Sequence, residues 1–388
     1  MQTSDLRIAL FSGNYNMTVD GANKALNRLV GYLLRKGAQV RVYSPTVAEP
    51  ALEPVGDLVS VPSVAIPNRP EYRLPLQLSS RVRRDLEAFG PNVIHISSPD
   101  RVSRQAAAWA RKRNLPVVAS VHTRFETYFR YYNLSFIEPL MVAWLRKLYR
   151  RCDGLIAPSE SFAQVLREQR MNYDIDIWTR GVDREIFVPE ARSPTWRREL
   201  GVEDDMPVIG FLGRLVMEKG LDVFADTIDQ LNRRGVRHCV VVIGEGPAGG
   251  WFQSRLPNAK FVGFQAGADL AKALASMDML FNPSVTETFG NVTLEAMACH
   301  LPVVAARATG SASIVKHGLT GFLVEPGSIS SFADRLQSYC EDLALRNLHG
   351  QAALVESQKY DWDAINQTVA ETYIRMIRQR AARSMMLK

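Results

Sequence analysis

Residues 279–298 read Met279-Leu280-Phe281-Asn282-Pro283-Ser284-Val285-Thr286-Glu287-Thr288-Phe289-Gly290-Asn291-Val292-Thr293-Leu294-Glu295-Ala296-Met297-Ala298. The opening residues form a short apolar run of strand type, and Pro283 ends it. A polar loop follows as far as Gly290, where a helix begins. Strand, loop and helix in that order are the repeating unit of a parallel sheet. Glu287 falls in the loop, and Glu295 falls about two turns into the helix. The helix N-terminus at Phe289, Gly290 and Asn291 offers backbone N–H groups to an anion, and each carboxylate can accept hydrogen bonds from hydroxyls. Standing alone, the two glutamates read equally well as a helix cap and a surface residue.

The same alternation runs in both directions from this stretch. Downstream of residue 187 the strands are Val208–Leu212, Cys239–Ile243, Ala259–Val262, Met279–Asn282 and Pro302–Ala305, with Gly318–Pro326 read as a turn. Upstream they are Arg7–Phe11, Val40–Tyr43, Val93–Ile96, Val117–Val121, Leu155–Ala157 and Ile175–Trp178, with helices between them. Pro45–Pro75 is proline-rich and reads as irregular loop with short strands. A chain of 388 residues exceeds one ordinary core. The expectation is therefore two doubly wound α/β domains, residues 1–187 and 188–361, joined at the Pro/Arg-rich stretch Val188–Arg198. A last helix over residues 362–380 is long enough to return to the first domain. Sheets of this kind collect ligands at the carboxyl ends of their strands, which puts the expected site in a cleft between the two.

Charge is unevenly distributed. Residues 1–185 hold 26 Lys/Arg against 18 Asp/Glu, whereas residues 186–388 hold 21 against 22. The excess in the first half suits an anionic membrane, an acidic substrate or nucleic acid, or simply solvated helix faces. The basic residues are spread over several helices without interleaved stacking aromatics or a recognition motif, which argues against nucleic acid as a partner. No apolar run has the length of a membrane span, and Asp5 and Arg7 interrupt what would otherwise be a leader, so a cytoplasmic location is expected. Cys152, Cys239, Cys299 and Cys340 lack metal-ligand spacing and read as buried thiols; the six histidines show no pairing either.

Three further constellations follow strands. Gly213-Arg214 and Lys219-Gly220 put two cations after Val208–Leu212, a pattern suited to a diphosphate. Gly244-Glu245-Gly246-Pro247 follows Cys239–Ile243, where glycines would let the backbone approach a flat ligand. His122-Thr123-Arg124-Phe125-Glu126-Thr127-Tyr128 closes Val117–Val121 with a histidine and polar or aromatic residues. A dinucleotide oxidoreductase would instead need GxGxxG after the first strand, and Ser12–Gly21 has Gly13 and Gly21 at other spacing.

In order and spacing these pieces resemble the family 4 retaining glycosyltransferases, whose fold is GT-B: two facing Rossmann-like domains with the active site in the cleft. The likeness covers nearly the whole chain. It includes Val19-Asp20-Gly21, His122, Pro158-Ser159, Arg180-Gly181-Val182-Asp183, the Arg214/Lys219 pair, Gly244 to Pro247, the glutamates Glu287 and Glu295 with Ala296-Met297-Ala298, and Leu301-Pro302-Val303-Val304-Ala305. The glutamate pair with the upstream cations is the specific part.

The resemblance implies that Arg214 and Lys219 bind the diphosphate of a nucleotide-sugar donor and steady it as it leaves. Glu295 would hold the ribose. Glu287 would hold hydroxyls of the transferred sugar, with the amides of Phe289, Gly290 and Asn291. Gly21 would let its loop close on the phosphates, Gly244 and Gly246 would line the donor, and His122 would sit beside the reacting carbon. It further implies retention, usually by front-face attack in this family, with a covalent route left open by the sequence, and no cofactor or metal ion, since the two cations supply the charge. Many relatives carry Gly-Gly where this chain has Asp20-Gly21, so Asp20 either turns away or meets the acceptor.

Within the family the softer echoes are His95-Ile96-Ser97-Ser98-Pro99, the stretch from His122 to Tyr132, Trp178 to Asp183, and Ala305-Ala306-Arg307. They are similar to enzymes that glycosylate membrane lipids, sulfoquinovosyltransferases and diacylglycerol-lipid mannosyltransferases. This implies a hexose or hexuronic acid moved from a UDP-sugar, or from GDP-mannose, to a lipid acceptor by a peripheral membrane enzyme. Arg124, Tyr128 and Tyr132 are the acceptor-side candidates. The helix over Ile137–Arg151, with Arg146, Lys147, Arg150 and Arg151, would touch the membrane. The competing expectation is the same chemistry on a soluble or polysaccharide acceptor.

Overall fold

Short apolar runs form the strands of this chain, and the stretches between them cap and bury helices against the resulting sheets. The computed structural model describes residues 1–18, 20–66, 69–123 and 135–386. It divides into two units, Met1–Arg180 with Trp362–Lys388, and Gly181–Asp361.

In the first unit the strands are β1 (Arg7–Phe11), β2 (Gln39–Ser44), β3 (Asp57–Ser60), β4 (Ser63–Ile66), β5 (Arg69–Pro75), β6 (Val93–Ile96), β7 (Val117–Ser120), β8 (Gly154–Ala157) and β9 (Ile175–Ile177). Among the described residues seven of them form a sheet in the order β3-β2-β1-β6-β7-β8-β9, parallel at every pairing. β4 and β5 form an antiparallel hairpin in the region expected to be irregular. The strand order reverses between β1 and β6, so their carboxyl ends open the crevice in which such sheets take ligands.

The helices are α1 (Gly21–Arg35), α2 (Ser80–Phe89), α3 (Arg101–Lys112), α4 (Glu138–Tyr149), α5 (Glu160–Glu168) and, at the chain's end, a helix over Trp362–Met386. Side-chain caps start several of them. Asp20, Ser79, Asp100 and Ser159 each accept from a backbone N–H in the first turn. The terminal helix is tied to this unit by Arg375 to Asp174 at 2.8 Å and Arg380 to Asp153 at 2.9 Å, and by the wholly buried Tyr373.

The second unit carries β10 (Val208–Leu212), β11 (Cys239–Ile243), β12 (Lys260–Phe261), β13 (Met279–Asn282), β14 (Val303–Ala306) and β15 (Gly321–Val324). Their order is β12-β11-β10-β13-β14-β15, again all parallel, and it reverses between β10 and β13. Helices in chain order are α6 (Pro194–Glu199), α7 (Leu221–Arg233), α8 (Gly249–Arg255), α9 (Gly267–Ala275), α10 (Asn291–Ala298), α11 (Thr309–Ile314), α12 (Ile329–Glu341) and α13 (Leu343–Ser357), so the terminal helix is α14.

Two sequence readings are corrected here. Gly318–Pro326 is not only a turn, because Phe322, Leu323 and Val324 are buried in β15 and pair with β14. Val188–Arg198 is not a free linker. Arg197 is 3% exposed and donates to the backbone oxygens of Ser276 and Met206 and to Asp278 at 2.9 Å, while Asp278 also accepts from the N–H of Val208. This clamp belongs to the second unit, as do the buried Val182 and Phe187, so the division falls at Arg180 rather than near residue 187.

Candidate active site

In the second unit the motif residues gather at the switch point. Gly213 and Arg214 leave the end of β10, and the segment from Pro283 to Gly290 leaves the end of its neighbour β13. Arg214 is exposed and makes no ion pair among the described residues. Lys219 closes a 3-10 turn (Met217–Lys219) ahead of α7, and its Nζ lies 2.6 Å from Oε1 of Glu287. Both partners are mostly buried, with 27% and 18% of their side chains exposed.

The loop carrying Glu287 is built as a rigid shelf. The Ser284 N–H donates to Asn282 Oδ1 at 3.2 Å, and Asn282 Nδ2 donates to Thr293 Oγ1 at 3.3 Å. The backbone oxygen of Glu287 receives two bonds from α11, from Thr309 Oγ1 at 2.6 Å and from the Gly310 N–H at 2.8 Å. A Cβ on Gly310 would lie 2.7 Å from Cβ of Glu287 and 2.8 Å from the Phe289 carbonyl, so only glycine lets α11 come this close. Thr309 and Gly310 escape sequence reading, since a small-residue helix start carries no chemical signature.

Gly290 caps α10 in the left-handed region, at φ +103°, and Phe289 is buried with its ring 5.8 Å from that of Tyr360. The amides that follow open α10 toward the loop. Asn291 is half-buried, and its Oδ1 is buried without a hydrogen-bond partner among the described residues. Glu295 is the fifth residue of α10 and half-buried, just over one turn in rather than two.

Gly244 and Gly246 each sit tightly against a neighbouring stretch of backbone. A Cβ on Gly244 would lie 2.0 Å from the Gly213 oxygen, and one on Gly246 would lie 2.4 Å from the Leu215 oxygen. The surface these glycines admit is the chain's own backbone. The Leu215 N–H donates to Glu245 and the Ala248 N–H to Leu215, each at 2.9 Å, which stitches the Arg214 loop to the loop after β11.

In the first unit His122 follows β7 and is held at both ring nitrogens. Nε2 is 2.8 Å from Ser120 Oγ, and Nδ1 is 2.8 Å from Nη2 of Arg180. Burial and the neighbouring Arg180 and His95 push its pKa well below the ordinary histidine value, so the ring is neutral. Arg180 is 5% exposed; its Nη1 donates to the carbonyls of Trp178 and Thr179, and its guanidinium lies 4.6 Å over the Trp178 ring. Beyond Ser120 the chain of contacts continues to His95 Nε2 at 2.7 Å and from His95 Nδ1 to Tyr373 Oη at 2.6 Å. Sequence reading singled out His122 but gave Ser120, His95, Arg180 and Tyr373 no role.

Gly21 is the first residue of α1. The open question about Asp20 has a structural answer, because its carboxylate serves its own loop. It accepts from the Asn23 N–H at 2.8 Å and from Thr18 Oγ1 at 2.9 Å, and so caps α1. Arg124, Tyr128 and Tyr132, the acceptor-side candidates, lie outside the described residues.

Between α3 and α4 runs a groove of about 350 Å³ lined by Arg104, Arg111, Lys147 and Arg151 with Trp144 and Leu148. None of the four cations is in an ion pair among the described residues. Phe136, just before α4, and Leu140 in its first turn are 72% and 71% exposed. No helix among the described residues is long and apolar enough to cross a membrane.

Comparison with known proteins matches residues 19–186 to Glycosyltransferase Family 4 and residues 206–342 to Glycosyl transferases group 1. A sulfoquinovosyl transferase from Arabidopsis thaliana is 32% identical over 367 residues, covering 92% of this chain and 71% of the relative. A GDP-mannose-dependent alpha-mannosyltransferase from Mycolicibacterium smegmatis is 30% identical over 384 residues, covering 98% and 100%. The fold is that of a sucrose-phosphate synthase from Thermosynechococcus elongatus, with a TM-score of 0.78 at 19% identity over 96% of this chain and 99% of that one.

Proposed function

The chain belongs to the family 4 glycosyltransferases, a GT-B enzyme that uses a nucleotide sugar, and we propose that it retains configuration while moving a sugar from a UDP donor to a membrane lipid. Arg214 and Lys219 hold the diphosphate, Glu295 the ribose, and Glu287 the sugar's hydroxyls with the amides of Phe289, Gly290 and Asn291. The leaving phosphate takes the acceptor's proton, and the two cations offset the charge that grows on it. The observation that carries this reading is the Lys219–Glu287 pair, which joins the segments leaving the neighbouring strands β10 and β13 at the switch point, the first of which also carries Arg214.

UDP is preferred because the sulfoquinovosyl transferase matches nearly the whole chain, while the mannosyltransferase likeness keeps GDP as the competitor. The lipid part rests on the α3/α4 groove. Four cations with no ion pair among the described residues, together with the exposed Phe136 and Leu140 at the start of α4, suit an anionic bilayer surface.

A thermal-shift panel of UDP, GDP and ADP on the native chain tests the donor, with Arg214→Ala and Glu295→Ala as controls. A shift for UDP alone, absent in both variants, is expected; a shift for GDP alone would replace the base, and none for any nucleotide would sink the reading. Sedimentation with anionic vesicles at low salt tests the surface. Binding should weaken as salt rises and in Arg111→Glu/Lys147→Glu. Intact donor hydrolysis without vesicle binding would favour a soluble acceptor.

A further inference from the structure

A guanidinium can only donate hydrogen bonds, and this decides the state of His122. Arg180 Nη2 stands 2.8 Å from Nδ1, so Nδ1 must offer its lone pair. The single ring proton is therefore on Nε2, from which it reaches Ser120 Oγ at 2.8 Å. The Ser120 hydroxyl can then turn toward His95 Nε2 or accept from it, and His95 adjusts its own proton toward Tyr373 accordingly. Either arrangement leaves His122 with the same tautomer.

The surroundings make this a demanding arrangement. Arg180 is buried, and among the described residues no carboxylate comes within ion-pair distance of it. Among those residues its charge is met by two carbonyls, the His122 lone pair and the face of Trp178. Burial alone lowers the Arg180 pKa to about 10, which still leaves it charged at neutral pH. A buried, unpaired cation is expensive, and a leucine or methionine would fill the space without that penalty. What the guanidinium supplies and an apolar side chain would not is a fixed donor on Nδ1. Among the described residues, the charged and titratable groups that face His122 include Arg180, from the segment after β9, and His95, from β6; Tyr373, from α14, braces His95 behind it.

We propose that Arg180 is a positioning residue that holds His122 as the neutral Nε2–H tautomer, in one orientation, so that His122 shapes the site without exchanging a proton during transfer. This rests on the reading that places His122 beside the transferred sugar. On that reading the imidazole is a steric and dipolar wall, and the acceptor's proton leaves by another route.

Long-range ¹H–¹⁵N spectra of the histidine-labelled full chain test the lock directly, without any substrate. In the native protein the His122 signals should report Nε2–H and hold unchanged from pH 8 to about pH 5.5. In Arg180→Met, which removes the donor, burial still keeps the ring neutral, but the Nδ1–H tautomer becomes accessible and the His122 signals should report a mixture of the two. The kcat of Arg180→Met should fall about tenfold as the ring loses its single orientation, and Arg180→Lys, which restores a donor, should recover both the pure Nε2–H signature and most of the activity. A native His122 that carries its proton on Nδ1, or that is cationic at pH 7, would overturn the proposal, as would an unchanged, pure Nε2–H signature in Arg180→Met. The native spectra stand even if the variant misfolds. They also stand if no nucleotide sugar is turned over, so failure of the lock and failure of the transferase reading are told apart.

Discussion

His95 should make the first unit acid-sensitive, and the size of the effect follows from its surroundings. The ring is wholly buried, between Ser120 and Tyr373, and burial pushes its pKa down to about 3 from 6.5. In the unfolded chain the same imidazole titrates near its ordinary value. Between these two values the unfolded state binds the extra proton, so stability rises with pH and is lost as pH falls below about 6.5. Each unit of pH in that window is worth about 1.4 kcal/mol, so lowering the pH from 7.5 to 4.5 removes about 2.7 kcal/mol through His95 alone. For a unit of this size that is a drop of about 5–10 °C in melting temperature. His122, depressed by the same cause, acts in the same direction.

The perturbation is His95→Gln, which keeps hydrogen-bonding capacity and does not titrate. Melting temperatures of both proteins are followed by calorimetry or circular dichroism at pH 7.5, 6.5, 5.5 and 4.5. The variant should start lower, by about 1–3 kcal/mol for an imperfectly satisfied buried site. Its descent toward acid should nevertheless be shallower than the native one by about 5–10 °C over the full range. Carboxylates contribute to both curves equally and drop out of the difference. Parallel curves would mean that His95 does not resist protonation in the fold, and the argument from its burial would fail with them.

Arg214→Ala should leave the melting temperature within about 0.5 kcal/mol of native, because the side chain is exposed and in no ion pair among the described residues, yet abolish the nucleotide-induced shift. Gly244→Ala, whose Cβ would lie 2.0 Å from the Gly213 oxygen at φ +129°, should destabilise the second unit by about 2 kcal/mol or more in calorimetry. An unchanged Tm would show that the two loops are not packed as described. Thr309→Val removes one bond to the Glu287 carbonyl while keeping the shape of the side chain. A loss of about 1 kcal/mol of positioning should lower kcat/KM about fivefold with little change in melting temperature, and equal kcat/KM would remove Thr309 from the site.

What the sequence conveyed follows from the range of each interaction. Val93–Ile96, Val208–Leu212, Cys239–Ile243 and Met279–Asn282 are strands in the fold at the boundaries read from sequence, because a buried parallel strand declares itself as a continuous apolar run with a polar stop. Gly321–Val324 is also buried, but glycines and a proline surround it, and the turn signal masked the pairing with β14. Arg197 read as linker because the partner that buries it, Asp278, is 81 residues away. At the site, glycine spacing announced a close approach after β11, and the chain's own Arg214 loop is one thing that approaches there. The path from Tyr373 to His95 spans 278 residues, which no local pattern can report.

The two cations assigned to the diphosphate are not equivalent, and the reason lies in their partners. Lys219 is already neutralised by Glu287 at 2.6 Å in a mostly buried pair, whereas Arg214 faces solvent with no carboxylate partner among the described residues. A diphosphate that approaches this loop gains the full attraction of Arg214. From Lys219 it gains only what remains after competition with Glu287. Lys219 therefore serves first to hold the carboxylate of Glu287, whose backbone oxygen Thr309 and Gly310 fix, and second to meet phosphate. Removing Arg214 deletes charge from the donor side alone. Removing Lys219 strands a mostly buried carboxylate, which is costly in its own right, and also frees the group expected to orient the sugar. Lys219→Met should accordingly lower both melting temperature and kcat, where Arg214→Ala lowers donor affinity with stability intact. Matching losses of stability in the two variants would contradict this division of labour.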